Sequence, residues 1–306
     1  MVERADDTKF GIVLPAIPDA GSAADYIRAA RQVEELGFDS VFCGDHLFGT
    51  VPTYECLSIL AGIAAATTRV KLGSAVVVLP LREPAITAKQ VATIDHISQG
   101  RFIFGVGPGG ERPEEFHAVG KAVSQRGQLT DTYLDLMKAL WSGEAVDLPG
   151  WPQVNGQIGS PVPYSRPGPP IWVGGRSEAA LERALRHDGW SAYATSVPSL
   201  IRTVDRLRER RHDLYLSVLV FTRIGSDADA AATQARDIIY TYYGQDWTDL
   251  LAHIAAVGDA RHVRERLAAY AATGVDEVVL CPLGDSAQDL RSQLTMAADL
   301  TVVPDR

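Results

Sequence analysis

The sequence predicts a single (β/α)8 barrel, a TIM barrel, with an insertion after its seventh strand. Short β-type runs alternate with longer helical runs along the 306 residues, which is typical of repeated βα units. The length suits one barrel with an insertion, and no linker or low-complexity tract divides residues 1–306, so we predict one domain. An open, doubly wound sheet is the alternative; it needs a reversal of strand order, which a sequence pattern cannot reveal.

The predicted strands and helices follow each other in strict alternation. The strands are expected at residues 10–16, 40–43, 70–78, 102–106, 171–173, 190–194, 214–222 and 277–281. The helices are expected at residues 22–36, 54–67, 85–97, 125–141, 177–186, 198–210, 263–272 and 285–300. In the first helix Ile27, Val33 and Leu36 are spaced for one face, and Gly37 ends it. Eight such pairs close naturally into a barrel.

Two segments interrupt this alternation. Residues 143–170 are rich in Pro and Gly and precede the fifth strand, where a barrel carries stability rather than chemistry. Residues 226–258 form the insertion after the seventh strand, and we expect them to be helical. This insertion holds four large aromatic residues: Tyr240, Tyr242, Tyr243 and Trp247. It is either a packed accessory helix pair or dimer contact, or a substrate lid with an aromatic lining.

The composition excludes several classes of function. A formal net charge of -9 disfavours nucleic acid as a partner, because neutralising phosphates needs a basic face. Cys43, Cys56 and Cys281 are too few and too scattered for a disulfide framework or a zinc site, so no metal is expected. The charged N-terminus lacks the apolar run of a signal peptide, and no apolar stretch reaches membrane-span length. We therefore expect a cytoplasmic protein that binds no membrane.

The second strand ends in Gly44-Asp45-His46, a polar pair at the mouth of the predicted barrel. A histidine exchanges protons near neutral pH, and a carboxylate orients polar rings. The alternative is structural, with Asp45 capping the next segment and His46 a satisfied rim residue. A metal site is not expected here, because the H-x-H strand end of metallohydrolase barrels is absent.

Glycines and small residues mark the ends of the third and fourth strands. Residues 73–76 read Gly-Ser-Ala-Val, which suits either a flat ligand or a tightly buried strand. Residues 105–110 read Gly-Val-Gly-Pro-Gly-Gly, which indicates positive φ angles or close approach of a ligand to the backbone. This turn is not a dinucleotide fingerprint, because Pro108 interrupts it and no helix begins there.

The fifth strand ends in Gly174-Gly175-Arg176-Ser177, directly before a predicted helix. Free backbone N–H groups, a helix dipole and an arginine make an anion site that suits a phosphate. Ser177 is equally suited to be a helix N-cap, and both roles are compatible. Together the four strand ends suit a flat ring that carries a phosphate tail.

Five stretches resemble the luciferase-like monooxygenase superfamily, and in particular its actinobacterial oxidoreductases that depend on the deazaflavin coenzyme F420. They are EELGFDSVFCGDH, TTRVKLGSAVVVLPLREP, AKQVATIDHISQGRFIFGVGPGG, PPIWVGGRSEAALERALRHDGW and AAVGDARHVRERLAAYAATGVDEVVL. The resemblance covers nearly the whole chain. It implies a homodimer and a small-molecule substrate.

The resemblance also implies roles for the strand ends. A non-prolyl cis peptide behind the cofactor ring is expected at Ala75–Val76. Ring contacts are expected from Asp45, Gly107 and Gly109, and phosphate contacts from Gly174, Gly175, Arg176 and Ser177. His46 is expected beside the reactive carbon, as an acid/base or substrate-orienting group.

The chain departs from the family's glucose-6-phosphate dehydrogenase at the site. That enzyme has an acidic residue directly after the glycine turn, where this chain has Gly110 and places Glu111 one position later. The position of that enzyme's active-site tryptophan is occupied here by Thr50. The chain is also poor in lysine, so a sugar phosphate is not the expected substrate. The first hypothesis is an F420-dependent hydride transfer to or from a small organic molecule. An FMN-dependent monooxygenase and a non-catalytic flavin-binding barrel are the alternatives.

Overall fold

Parallel strands close into a barrel in the computed structural model, which describes residues 8–16 and 22–301. The strands are β1 Lys9–Leu14, β2 Ser40–Cys43, β3 Lys71–Ser74, β4 Val77–Val78, β5 Phe102–Gly107, β6 Ile171–Gly174, β7 Gly189–Ala192, β8 Tyr215–Ile224, β9 Ala255–Gly258 and β10 Glu277–Pro282. Their order is β10-β1-β2-β3-β5-β6-β7-β8, and β8 pairs with β10 to complete the ring. The predicted eight-stranded barrel is therefore confirmed, and the open sheet is wrong.

The third barrel strand is split, whereas the sequence predicts one run over residues 70–78. The split falls at the Ala75–Val76 peptide, which is cis, as the resemblance implies. Before it, β3 pairs with both β2 and β5; after it, β4 pairs with β5, with Val77 opposite Val106. The bulge thus lies at the carboxyl end of the strand, where a barrel carries its functional groups.

Helices surround the barrel. They are α1 Ala23–Glu35, α2 Cys56–Ala66, α3 Pro84–Ser98, α4 Pro113–Ala118, α5 Arg126–Trp141, α6 Glu178–Ala184, α7 Val197–Arg210, α8 Ala228–Tyr243, α9 Thr248–Ile254, α10 Ala260–Ala271 and α11 Ala287–Thr301. Ser22 and Asp25 form a capping box that begins α1, and Asp259 caps α10. No helix in the described ranges is long and apolar enough to cross a membrane. The charged N-terminal residues 1–7 lie outside those ranges.

Two apolar layers hold the barrel together. The outer layer packs the helices on the strands, and Val33 of α1, Leu60 of α2 and Ile12 of β1 belong to the same buried cluster. The inner layer fills the barrel, and there the Phe42 ring lies 5.6 Å from that of Trp172. Because β2 and β6 are not neighbours in the sheet, this contact spans the interior. The barrel is therefore a packed core and opens only towards its mouth.

The insertion after β8 consists of α8, α9 and β9. The prediction that residues 226–258 are helical is wrong for the last four residues. These form β9, which pairs in parallel with the carboxyl-terminal residues 221–224 of β8. The apolar faces of α8 and α9 pack beside the barrel mouth through Ile239 and Leu251, together with Phe221 of β8. The insertion is thus built onto the functional end of the barrel.

Candidate active site

A cleft of about 360 Å³ opens at the carboxyl ends of the strands. This volume falls in the range of small-molecule sites, and the lining is mainly apolar with a few polar groups. Eight of the ten residues singled out from the sequence line it. They are Asp45, His46, Ala75, Val76, Gly107, Gly109, Gly174 and Gly175. Four separate strand ends therefore meet in one concave site.

His46 is held by a carboxylate that the sequence does not identify. Its Nδ1 lies 3.2 Å from Oε1 and 3.4 Å from Oε2 of Glu115. Oε1 of Glu115 also accepts hydrogen bonds from the backbone N–H groups of Leu47 (2.8 Å) and Phe48 (3.2 Å). The Glu115 side chain is only 3% exposed, while that of His46 is 35% exposed. The buried carboxylate therefore fixes both the histidine ring and the loop that carries it.

Glu115 lies on α4, a short helix that the strand-and-helix pattern misses. The signal for it is Pro113-Glu114-Glu115, since a proline at the first helical position followed by acidic residues is typical of a helix start. Glu111, the acidic residue after the glycine turn, lines the cleft separately. The group that orients His46 is therefore four residues further along the chain than Glu111.

Asp45 faces the cleft but its carboxylate is already bound by the protein. Oδ2 accepts from the backbone N–H of Val78 at 3.0 Å, and Oδ1 lies 2.7 Å from Nη2 of Arg82. The same guanidinium contacts Glu55 at 2.6 Å. Burial opposes ionisation of Glu55, but hydrogen bonds from Ser58 and the Arg82 contact outweigh it and lower the pKa of this carboxyl. Asp45 thus ties the end of β2 to β4, directly beside the cis peptide.

The glycines around the bulge make room for the protein's own side chain. A Cβ added to Gly107 would lie 2.7 Å from Cγ2 of Val76, and one added to Gly174 would lie 3.0 Å from its Cγ1. Gly109 has φ +61, a conformation that favours glycine. Close packing against Val76 is therefore one reason for Gly107 and Gly174, and it would hold even without a ligand.

The turn after β6 is arranged as a helix cap. The Ser177 hydroxyl accepts from the N–H of Ala180 at 3.3 Å, which confirms its predicted N-cap role. Nη1 of Arg176 donates to the carbonyl of Ala194 at 2.8 Å. Gly175 lines the cleft, but Arg176 and Ser177 do not. Both residues are exposed to solvent and directly precede the first turn of α6.

Two tyrosines of the insertion close one side of the cleft. Tyr242 and Tyr243, at the end of α8, line it, whereas Tyr240 points to solvent and is 59% exposed. Trp247 stacks on Tyr243 with ring centroids 4.3 Å apart. The Thr50 hydroxyl donates to the carbonyl of Tyr242 at 2.8 Å, which joins the loop after β2 to the insertion. The insertion is therefore part of the wall of the cleft.

Solved structures of similar shape include monooxygenases and F420-dependent enzymes. The monooxygenase RslO1 from Streptomyces bottropensis superposes with a TM-score of 0.82 at 22% identity, covering 96% of this chain and 98% of that one. An F420-dependent secondary alcohol dehydrogenase, in complex with an F420-acetone adduct, superposes with a TM-score of 0.81 at 17% identity over 96% and 98%. At these identities the likeness establishes the shared fold.

Relatives in sequence are matched over part of their length. An uncharacterised protein of Mycobacterium bovis is 33% identical over 162 residues, which cover 52% of this chain and 55% of that protein. The FMNH(2)-dependent dimethylsulfone monooxygenase of Pseudomonas putida is 29% identical over 195 residues, 61% of this chain and 53% of that enzyme. The chain spans about half the length of these curated relatives.

A model of the luciferase-like monooxygenase family matches residues 8–277. The chain therefore belongs to the luciferase-like monooxygenase family, whose members are oxidoreductases and monooxygenases.

Proposed function

We propose that this protein is an F420-dependent oxidoreductase that transfers a hydride between the deazaflavin and a small organic molecule. The observation that carries the proposal is His46, oriented by buried Glu115, in the wall of an apolar cleft that the Ala75–Val76 bulge also lines. A hydride transfer to or from an oxygen-bearing carbon is assisted by a positioned group that exchanges the proton of that oxygen.

The lining of the cleft supports a flat ring with a phosphate tail as the proposed ligand. An added Cβ at Gly44 would meet no atom closer than the Ala75 carbonyl at 4.0 Å, so the space beside the bulge is open. Ala75, Val76, Gly107 and Gly109 would hold the ring, with Asp45 at its edge. The phosphate would lie on the turn of Gly174, Gly175, Arg176 and Ser177. Bound there, the deazaflavin would supply the hydride chemistry.

The chain's own residues supply the proton and the environment. When a carbonyl gains a hydride at carbon, its oxygen needs a proton, and the reverse reaction removes one. Within residues 8–16 and 22–301, His46 Nε2 has no hydrogen-bond partner, so that atom is available for this proton. Glu115 keeps Nδ1 engaged and so sets which nitrogen faces the substrate. Tyr242 and Tyr243 of the insertion line the same space and would help to exclude water from it when substrate is bound.

An FMN-dependent monooxygenase is the second candidate. It is favoured by the Pseudomonas putida relative, whose name states that it uses FMNH(2). The phosphate turn does not separate the two cofactors, since both carry phosphate. A monooxygenase would use the same cleft, but it would need molecular oxygen as a co-substrate.

Partners follow from the same proposal. We propose a small-molecule substrate and a homodimer, with no nucleic acid or membrane partner, in the cytoplasm. The net charge of -9 supports the exclusion of nucleic acid. Sedimentation velocity of the purified full chain would test the dimer, which should run at twice the mass of the 306-residue chain.

The requirement for oxygen tests the function. Purified protein is mixed in anaerobic buffer with reduced F420 and a panel of ketones and enones, and deazaflavin oxidation is followed by absorbance. We expect turnover without oxygen and no increase when oxygen is admitted. Product formed only with reduced FMN and oxygen would replace this function by the monooxygenase. No turnover and no binding of either cofactor would leave a non-catalytic barrel.

A further inference from the structure

The charges around the cleft disfavour an anionic substrate. Among the residues that line it in the described ranges, Arg112 is the one lysine or arginine, and its Nη2 donates to the Tyr242 carbonyl at 3.5 Å. The acidic residues are Asp45, Glu111 and Glu115, of which the first and last are bound as described above. The lining thus carries three carboxylates against one guanidinium, so an anion entering the cleft would meet more negative than positive charge.

The cleft also presents a hydroxyl group with a free proton. Tyr193, just beyond the end of β7, donates a hydrogen bond from its hydroxyl to the hydroxyl oxygen of Tyr243, at 2.9 Å. Tyr243 therefore acts as the acceptor, and its own O–H has no acceptor in the part of the chain that the structure describes. Tyr26 and Tyr242, which also line the cleft, donate instead to the carbonyls of Pro15 and Gly284. Tyr243 is thus left with an uncommitted donor.

Neighbouring rings fix this donor in place. Trp247 stacks on Tyr243 with an interplanar angle of 16°, and Phe221 packs edge-on against both Trp247 and Tyr193. A tyrosine hydroxyl is protonated at neutral pH, and burial raises the pKa of Tyr243 further above its ordinary value. Accepting a bond from Tyr193 also polarises the Tyr243 O–H and makes it a better donor.

We infer that the substrate is a neutral, largely apolar molecule with one carbonyl or hydroxyl oxygen, and that Tyr243 donates a hydrogen bond to that oxygen. The inference rests on the proposed function only in taking this cleft as the substrate site. The apolar body of the molecule would lie against Phe48, Leu219 and Phe221, which line the cleft. A site built to donate to an oxygen discriminates strongly against molecules that lack it.

Three probes of similar size test this inference: acetophenone, α-methylstyrene and benzoate. They are a neutral ketone, its hydrocarbon isostere and an anion, and their dissociation constants are measured by ligand-observed saturation-transfer NMR. The proteins are the full chain, Tyr243→Phe and the control Tyr240→Phe, which alters an exposed tyrosine of the same helix. We expect Tyr243→Phe to weaken acetophenone binding roughly 5- to 10-fold while α-methylstyrene binding is unchanged. Tyr240→Phe should leave both unchanged, and benzoate should bind wild type at least ~10-fold more weakly than acetophenone.

Two results would overturn the inference. One is a Tyr243→Phe variant that binds acetophenone as wild type does, or that loses affinity for ketone and hydrocarbon alike. The other is benzoate binding as tightly as acetophenone. Titration of the same proteins with F420 distinguishes a failure of the role inferred for Tyr243 from a failure of the proposed cofactor. If F420 does not bind but the ketone effect is present, only the cofactor is wrong; if F420 binds and the ketone effect is absent, only the role of Tyr243 is wrong.

Discussion

Nδ1 of His46 lies 3.2 Å from the buried carboxylate of Glu115, although 69 positions separate the two residues in the chain. The contact joins the loop after β2 to α4, the short helix that follows the glycine turn of β5. Because Glu115 also accepts from two N–H groups of that loop, ring and loop are fixed by the same side chain. Glu115 is therefore a positioning residue, and His46 is the group placed to exchange protons.

Replacing the Glu115 carboxylate by an amide should impair turnover through His46. We expect Glu115→Gln to lower kcat at least ~10-fold with little change in F420 affinity, because an amide can select the other tautomer of the ring. His46→Ala should lower kcat by ~10²- to 10⁴-fold. Since Glu115 acts through His46, the double variant should be no slower than His46→Ala alone.

Steady-state kinetics with any substrate that supports turnover checks this, and Glu114→Gln is the matched control. Glu114 is the exposed neighbour on the same helix, so its amide variant should behave as wild type. A double variant much slower than His46→Ala would show that Glu115 acts independently of the histidine. Loss of folding in Glu115→Gln, seen by circular dichroism, would show a purely structural role.

The Gly107–Val76 contact predicts coupled effects on stability. Gly107→Ala should cost about 1–3 kcal/mol of unfolding free energy, because its Cβ would lie 2.7 Å from Val76 Cγ2. In a Val76→Ala background that methyl group is absent, so the same change should cost less by about 1 kcal/mol or more. Urea denaturation of the four proteins measures the cycle. If Gly107→Ala lowers the unfolding free energy equally in both backgrounds, packing against Val76 is not the reason for glycine at position 107.

Removing the Arg176 guanidinium should weaken cofactor binding if the phosphate lies on the turn after β6. We expect Arg176→Ala to raise the Kd for F420 ~10-fold, the size of one charge-assisted hydrogen bond. Arg202→Ala, which removes an exposed arginine of α7, is the control and should have no effect. Unchanged affinity of Arg176→Ala, measured by fluorescence titration, would place the phosphate elsewhere.

His187 should make the fold less stable in mild acid. Burial, with Lys138 and Arg186 nearby, lowers the pKa of His187 to about 4, and its Nδ1 has no partner in the described structure. The unfolded chain, with a histidine pKa near 6.5, binds this proton first as the pH falls. The stability from His187 is thus complete above about pH 6.5 and is lost towards pH 4, about 3 kcal/mol in all.

Urea denaturation between pH 7 and pH 4.5 checks the effect of His187. His187→Gln should flatten the fall in unfolding free energy over this range, because glutamine binds no proton. His212→Gln, at an exposed position, should leave the slope as in wild type. An unchanged slope in His187→Gln would assign the acid sensitivity to other groups.

The fold was largely readable from the sequence because its signals are local. The alternation of apolar strands and amphipathic helices places every barrel strand within a few residues of its observed bounds, and Ser177 caps α6 as its residue type indicates. The break at Ala75–Val76 came from the family resemblance, since nothing in the pattern of residues 70–78 interrupts the strand. The strand β9 was missed because its pairing with β8 depends on a partner about thirty residues away.

The sequence predicts the glycines and the histidine of the site, but it does not predict which charged side chains contact each other there. Both the Asp45–Arg82 and His46–Glu115 contacts join residues tens of positions apart, and only the folded barrel brings them together. Charged residues are common on any surface, so a sequence does not show which of them becomes buried. The sequence predicts an insertion rich in aromatic residues but not the Tyr193–Tyr243 hydrogen bond, because this bond also joins residues that are far apart in the chain.

Equilibrium titration of the 306-residue protein with F420 and with FMN, followed by fluorescence quenching, tests the central claim most directly. The proposal predicts saturable, tight binding of F420 and much weaker binding of FMN. Tight binding of FMN with weak binding of F420 would contradict the proposal.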